Sequence, residues 1–259
     1  MTTTTTTMGR ALIEALDPVA FAKGRGFVAE PWQTDLLRTT TRRVVVPCSR
    51  QVGKTQTTSY KALHGALNNP ERDVLIISPS QRQSIEMLLR IKSIYRGMRG
   101  APRLHKDNDS EIVLHNGSRV VSLPGTEGTV RGFANVKLLV IDEAARVDDE
   151  VFASVLPMVG SDGQIMALST PWGQRGWFYE LAEEAPRNGW EKHRVTVYDS
   201  AQWSPARVAE VKASVGRFVF QSDYEAQFLD TDDQLFSTED VRRAFTPDLQ
   251  PLFANGVPE

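Results

Sequence analysis

An α/β fold, with a mostly parallel central sheet flanked by helices, is predicted by three features of this sequence. Apolar runs suited to strands buried on both faces recur at Arg43 to Val46, Asp73 to Ser80, Val136 to Ala144 and Gln164 to Pro171. Helix-compatible segments separate them, an alternation typical of βαβ units. Two of the runs also end in groups suited to chemistry, Gly53-Lys54-Thr55 after the first and Asp142-Glu143 at the end of the third.

In chain order, residues 1–26 read as a tail and a leading helix. The tract Thr2 to Thr7 is expected as a disordered tail, Met8 could be the true start, and Ala11 to Leu16 is helical before Pro18. Glu30-Pro31-Trp32-Gln33 then reads as a helix start. The Gln33 amide offers a donor and an acceptor of the kind that can read adenine, while a Trp-Gln pair in this place also serves simple packing.

After the first strand, Cys48-Ser49-Arg50-Gln51-Val52-Gly53-Lys54-Thr55 leads into a helix expected from Gln56 to Leu67. Backbone N–H groups at a helix start can surround a polyphosphate, the Lys54 ammonium can reach its terminal phosphates, and the Thr55 hydroxyl can ligate Mg2+. Cys48 stands where the usual pattern has its first glycine, and a glycine turn before an amphipathic helix is the plainer reading. Asp73 to Ser80 is a second strand and Gln81 to Tyr95 a helix. Glu111 to Leu123 is expected to form a hairpin about Asn116-Gly117, a pair suited to a two-residue turn with positive φ angles.

The third strand ends in two adjacent carboxylates, which leave it in different directions. Asp142 can hold a magnesium shell while Glu143 polarises an attacking water. A strand end before a helix whose first turn prefers acids would look alike. Together with Gly53-Lys54-Thr55, however, the order and spacing match an ATP-hydrolysing P-loop enzyme.

Helices are expected at Asp148 to Leu156 and Trp177 to Glu184, with a strand from Gln164 to Pro171 between them and a weak strand from Glu191 to Tyr198 after them. Ser169 and Thr170 close the former as two hydroxyls that could equally cap a helix. From Ser204 the character changes to two polar helices, Pro205 to Val215 and Phe218 to Phe228. These observations divide the chain into a tail and leading helix at 1–26, a core at 27–203 and a helical lid or linker at 204–259.

Composition is that of an ordinary globular chain, with 41% hydrophobic and 24% charged residues. No apolar run is long enough for a membrane span and no secretory signal is evident, so a cytoplasmic location is expected. One cysteine excludes an internal disulfide framework, and His64, His105, His115 and His193 show no metal-site spacing. A net charge of −2 argues against nucleic-acid binding by bulk charge and leaves a local basic surface. Arg90 to Arg99, continued by Arg103 and Lys106, is that surface, with Arg96, Arg99 and Arg103 the candidate contacts. A solvated helix face would carry the same charges.

With Trp32-Gln33, Ser49 to Thr55, Leu139 to Ala144 and Leu168-Ser169-Thr170-Pro171 in this order, nearly the whole chain resembles the ATPase portion of the large terminase subunit of tailed bacteriophages. Thr129-Val130-Arg131-Gly132 and Asp223 to Phe228 extend the resemblance. It implies a P-loop NTPase of the additional-strand catalytic-glutamate type that uses ATP and Mg2+ to pump double-stranded DNA into a procapsid. By the same resemblance Gln33 senses adenine, Ser49 to Thr55 and Asp142 bind nucleotide and metal, and Glu143 is the catalytic base or water-positioner. Arg50 could stabilise the terminal phosphate, and Ser169 and Thr170 form a coupling motif. Arg131 would act on a neighbouring subunit's ATP, an effect worth up to ~10³–10⁵ in rate for arginine fingers.

The implied partners are DNA, a portal protein, the small terminase subunit and further copies in a ring, a pentamer by resemblance, with no membrane. The implied place is the host cytoplasm, at the portal vertex. The family's nuclease domain would begin near Glu259, so the chain reads as a truncated piece without nuclease activity. A helicase-like ATPase and an ATP-gated assembly module with incidental turnover are the alternatives. A small-molecule kinase is disfavoured by Glu143 beside Asp142, and a GTPase by the lack of an Asn-Lys-x-Asp sequence.

Overall fold

The computed structural model describes residues 2–126 and 132–229. Its centre is an eight-stranded sheet formed by β1 (Arg43–Pro47), β2 (Asp73–Ser78), β3 (Lys106–Asp107), β4 (Glu111–Val113), β5 (Arg119–Pro124), β6 (Val136–Asp142), β7 (Val159–Ser169) and β8 (Glu191–Lys192). The strand order is β3-β4-β5-β2-β6-β7-β1-β8. From β5 to β8 every pairing is parallel, and at the other edge β4 pairs antiparallel with both β3 and β5, so β4 alone runs against the rest of the sheet.

Parallel strands buried on both faces need apolar residues in both directions, and each central strand divides its side chains between two cores. Val44, Val46, Val74, Ile76, Leu138, Val140, Met166 and Leu168 face one core, and Val45, Leu75, Ile77, Leu139, Ile141, Ile165 and Ala167 the other. The first core is closed by α2 (Pro18–Lys23), α3 (Pro31–Arg38), α4 (Lys54–Asn68) and α5 (Gln81–Arg96). The second is closed by α6 (Asp149–Val155) and α7 (Gly176–Glu184), whose Phe152 and Trp177 rings stack 3.8 Å apart. Trp177 can be buried because its Nε1–H donates to the Val147 carbonyl at 2.8 Å.

Residues 204–229 contribute α8 (Pro205–Ser214) and α9 (Arg217–Asp223), which carry Val208 and Phe220 into the first core. That packing places both helices over the carboxyl end of β1.

Several expectations change in detail. The N-terminal helix α1 (Thr2–Leu16) runs through the tract expected as a disordered tail. Threonine costs only a few tenths of a kcal/mol per helical position, so a helix nucleated at Ala11 to Leu16 can propagate backwards. Pro18 opens α2 rather than merely ending the preceding helix, with Asp17 accepting from the Val19 N–H.

The Asn116-Gly117 hairpin forms, but only Gly117 is left-handed, at φ +81. The Asn116 amide instead donates to the Ala66 and Leu67 carbonyls, meeting acceptors left open at the end of α4. The strand expected from Glu191 to Tyr198 keeps regular pairing only at β8, followed by a bridge from Val195 to Cys48 and a 3-10 turn at Val197–Asp199. Thr196 and Asp199 cap that turn and end the strand. The last helix stops at Asp223 rather than Phe228, and Ala226 turns the chain with φ +50.

Candidate active site

Strand β7 lies between β1 and β6, with Pro47 opposite Ser169 and Asp142 opposite Leu168. This register brings the phosphate loop, the acidic pair and the Ser169-Thr170 end to one level at the carboxyl edge of the sheet. Open parallel sheets bind ligands there.

The loop is anchored before it is free. Cys48 N–H donates to the Ser169 carbonyl at 2.8 Å, Ser49 N–H to Val195 at 2.8 Å and Arg50 N–H to Asp223 at 2.9 Å. Gln51 then takes φ +54, and Gly53 takes φ +91 as the cap of α4. Among the described residues, the N–H groups of Gln51, Val52, Gly53, Lys54 and Thr55 find no acceptor in the protein. Five such donors at a helix start form a cradle for an anion.

The chemistry faces this cradle. Lys54 Nζ donates to Glu143 Oε1 in a largely buried ion pair. Glu143 has φ +51, a conformation uncommon for a non-glycine residue, and begins the 3-10 turn Ala144–Arg146. Breaking the strand there takes Glu143 out of the alternation that buries Asp142 and sets it against Lys54. Strain at such a position is typical of functional sites. Ser169 Oγ donates to the Thr170 carbonyl at 2.7 Å and lies 3.5 Å from Glu143 Oε2, so the second strand end touches the acidic group directly. Thr170 is buried beside it.

Burial raises the Asp142 pKa above the ordinary aspartate value, with Lys54 opposing and Glu143 adding to the shift. Burial works against the Lys54 ammonium, yet Cys48, Asp142 and Glu143 together hold its pKa above the usual lysine value. An ionised Asp142 therefore needs cationic company. The hydroxyl of Thr55 and the carboxylate of Asp142 are hard oxygen donors, the set that suits Mg2+ shared with phosphate oxygens and water. Among the described residues no cluster of three or more His, Cys, Asp or Glu offers a metal cage.

Cys48 is fully buried, and burial pushes its thiol up to about 12. It is a packing residue in the loop, and only the thiolate reacts. Iodoacetamide at a mildly alkaline pH is therefore expected to leave the folded protein unmodified and to label Cys48 once urea unfolds it. Mass spectrometry with and without urea reads the difference, and rapid labelling of the folded chain would contradict the burial.

Gln33 is buried at the rim of the loop. Its Oε1 accepts from the Glu30 N–H at 2.9 Å, and its Nε2 donates to the Val52 carbonyl at 3.4 Å. The amide thus braces the phosphate loop from α3. Arg50 forms an ion pair of 2.9 Å with Asp223 at the end of α9. Arg207 of α8 donates to Gln51 Oε1 at 2.8 Å and lies over the Trp203 ring, while Trp203 Nε1–H donates to the Gln51 carbonyl at 3.3 Å.

Asp223, Trp203 and Arg207 were not legible as site residues, because their sequence signals are those of helix ends and packing. Only the fold carries them back over the loop.

The basic segment divides. Arg96 pairs with Asp107 at 2.8 Å, and the buried Lys92 holds Asp107 and the Asn108 carbonyl, so Lys92 is structural. Arg99 lines a cleft with Arg10 and Arg25, and Arg103 lines a second cleft beyond it. Neither cleft touches the phosphate loop. Arg131 lies outside the described residues. No helix of the described residues is long and apolar enough to cross a membrane.

Comparison with known proteins gives this arrangement a family. Residues 47–243 match the family model of the terminase large subunit, T4likevirus-type, N-terminal. The large terminase subunit of Thermus virus P23-45 is 23% identical over 83% of this chain, and the match takes in 52% of that protein. The chain thus spans about half the length of the curated relatives it matches.

Among solved structures, the ATPase domain of the Thermus phage P74-26 large terminase superposes with a TM-score of 0.71 at 21% identity, covering 83% of this chain and 100% of that one. The large terminase of a thermophilic bacteriophage in complex with ADP gives 0.66 at 13% identity, covering 77% of this chain and 54% of that one. These likenesses establish the P-loop terminase fold. By the match across its phosphate loop, acidic pair and helical appendage, the chain belongs to the terminase large subunit family, of which it carries the N-terminal portion.

Proposed function

We propose that this chain hydrolyses ATP to ADP and phosphate with Mg2+, as the motor portion that drives double-stranded DNA into a viral procapsid. The observation that carries the reading is the convergence of Lys54, Glu143, Asp142 and Ser169 on a cradle of unpaired N–H groups. Lys54 and the N–H groups of 51–55 hold the terminal phosphates. Thr55 and Asp142 would hold Mg2+, which would supply positive charge against the charge developing on the transferred phosphoryl group. Glu143, released from Lys54 when phosphate takes the ammonium, orients and deprotonates the attacking water. Ser169, in contact with Glu143, passes the change in that carboxylate to β7.

The phosphate-loop resemblance and the Arg50–Asp223 pair support a role for 204–259 as a lid on the core at 27–203. Arg50 is the phosphate loop's own candidate to stabilise the terminal phosphate, and it must exchange Asp223 for phosphate to do so. Arg131 would complete a neighbouring subunit's site in a ring. Arg99 and Arg103 are the better placed DNA contacts, because Arg96 is already paired. Family membership supports the portal protein and the small terminase subunit as partners, and the portal vertex in the host cytoplasm as the place of action.

The test is steady-state phosphate release by the purified chain over a wide range of protein concentration. A specific activity that rises with concentration supports sites shared between subunits. A constant one supports hydrolysis by a site complete within one chain and removes the trans role of Arg131.

A further inference from the structure

We propose that the acidic segment Asp230 to Phe236 of this chain docks along α7 into a cavity at the amino end of β1, with its carboxylates on Arg42 and Arg43 and its Leu235-Phe236 pair against the apolar wall. The cavity stands at the opposite end of β1 from the phosphate loop.

Its volume is about 390 Å³, and it opens where Arg43 of β1 pairs with Ile165 of β7. Phe152, Leu156, Leu181 and Trp190 give it an apolar wall, and the exposed Arg42 and Arg43 line it as well. Among the described residues no acid lines it. Arg42 reaches the Gly163 carbonyl only at 3.5 Å, through Nε, and Arg43 makes no side-chain hydrogen bond or ion pair among the described residues. An apolar cavity beside two guanidiniums that lack an acid partner suits a ligand aromatic at one end and anionic at the other.

The chain itself supplies such a ligand. Beyond Leu229 it reads Asp230-Thr231-Asp232-Asp233-Gln234-Leu235-Phe236, in which carboxylates precede two large apolar side chains. Its point of departure is fixed on α7. The Phe228 ring lies 5.9 Å from that of Phe178 and 5.1 Å from that of Tyr179, and the Phe228 carbonyl accepts from Gln174 Nε2 at 3.2 Å. Leu181, in the cavity wall, is one helical turn past Phe178.

The distance is within reach. All nine residues of α7 span only ~13 Å, whereas an extended segment from Asp230 to Phe236 spans up to ~25 Å. The stretch that matches the family model also runs past this segment, to residue 243. Docked so, the segment ties the chain leaving α9 to the far end of the sheet, where the arginines meet its carboxylates.

Cross-linking of the full chain through paired cysteines tests the assignment, because the buried Cys48 stays out of the reaction. Leu156→Cys puts one thiol in the cavity and Ser237→Cys another beside Phe236, while Arg99→Cys with Ser237→Cys is the control, in a cleft on the other face of the sheet. On mild oxidation the cavity pair should cross-link within one chain about tenfold faster than the control pair. Adding Asp232→Lys and Asp233→Lys should slow that reaction about fivefold. Arg43→Glu, at an exposed position where folding is not at stake, should speed chymotrypsin cleavage at Leu235-Phe236 by about the same fivefold factor. Equal cross-linking of the two pairs, or cleavage unmoved in Arg43→Glu, overturns the docking. Cross-links formed only between chains give the cavity to the segment of a second copy and overturn it equally.

Discussion

Glu143→Gln is expected to retain ATP binding and to lose turnover by a factor of about 10²–10⁴, the usual contribution of a positioned general base. The amide keeps its oxygen for the Lys54 hydrogen bond and turns its NH2 toward Ser169 Oγ, which can accept from it, so the fold and the loop stay in place. What it loses is the capacity to take a proton from water. Because the ion pair with Lys54 is gone, the ammonium is freer to meet phosphate, and ATP affinity should hold or rise. Equilibrium binding and steady-state turnover on the same preparation separate the two effects. Turnover indistinguishable from that of the unaltered chain would remove Glu143 from the chemistry.

Lys54→Ala should have the opposite signature. Losing one charge-assisted contact to phosphate costs roughly 2–3 kcal/mol, so ATP affinity should fall about 30- to 150-fold. The fold should feel the change too, because Lys54 is the cation beside the buried Asp142 and the Glu143 carboxylate. Stripped of it, the variant should be less stable by about 1–3 kcal/mol near neutral pH.

The pH dependence follows from the direction of the Asp142 shift. An acid whose folded-state pKa lies above its unfolded value contributes stability below the unfolded pKa and loses it as pH rises through the folded one. With Lys54 gone that upward shift grows, so the stability deficit of Lys54→Ala should shrink as pH is lowered toward the aspartate range. Urea titrations at several pH values measure it. A deficit independent of pH would mean that the Asp142 charge is not what Lys54 compensates.

Both predictions rest on residues that local sequence exposes well. Gly53-Lys54-Thr55 and Asp142-Glu143 are legible because backbone requirements and charges coincide within a few positions of an apolar strand. The strands were legible for the same reason, since β1, β2, β6 and β7 are continuous apolar runs that little else in a globular chain produces. Ser169 and Thr170 could be placed at a strand end, although their contact with Glu143 required the neighbouring register of β6 and β7.

The remainder depends on contacts distant in sequence. Asp223 meets Arg50 from the far end of the described chain, and Arg207 meets Gln51 across 156 positions. Nothing in the local pattern of α8 or α9 announces a phosphate loop beneath them. Gln33 illustrates the converse, where a residue type suited to adenine is engaged by its own helix start and by Val52. The hairpin turn differs for a related reason: Asn116 is drawn to the open carbonyls of α4, which only the fold brings near it. The threonine tract shows propagation from a neighbouring helix overriding weak propensity.

Phosphate release from ATP by the purified chain with Mg2+, repeated with EDTA, tests the central claim most directly. Multiple turnovers per chain that EDTA abolishes are the expected result. Intact ATP, together with no detectable ATP binding in the presence of Mg2+, would contradict it.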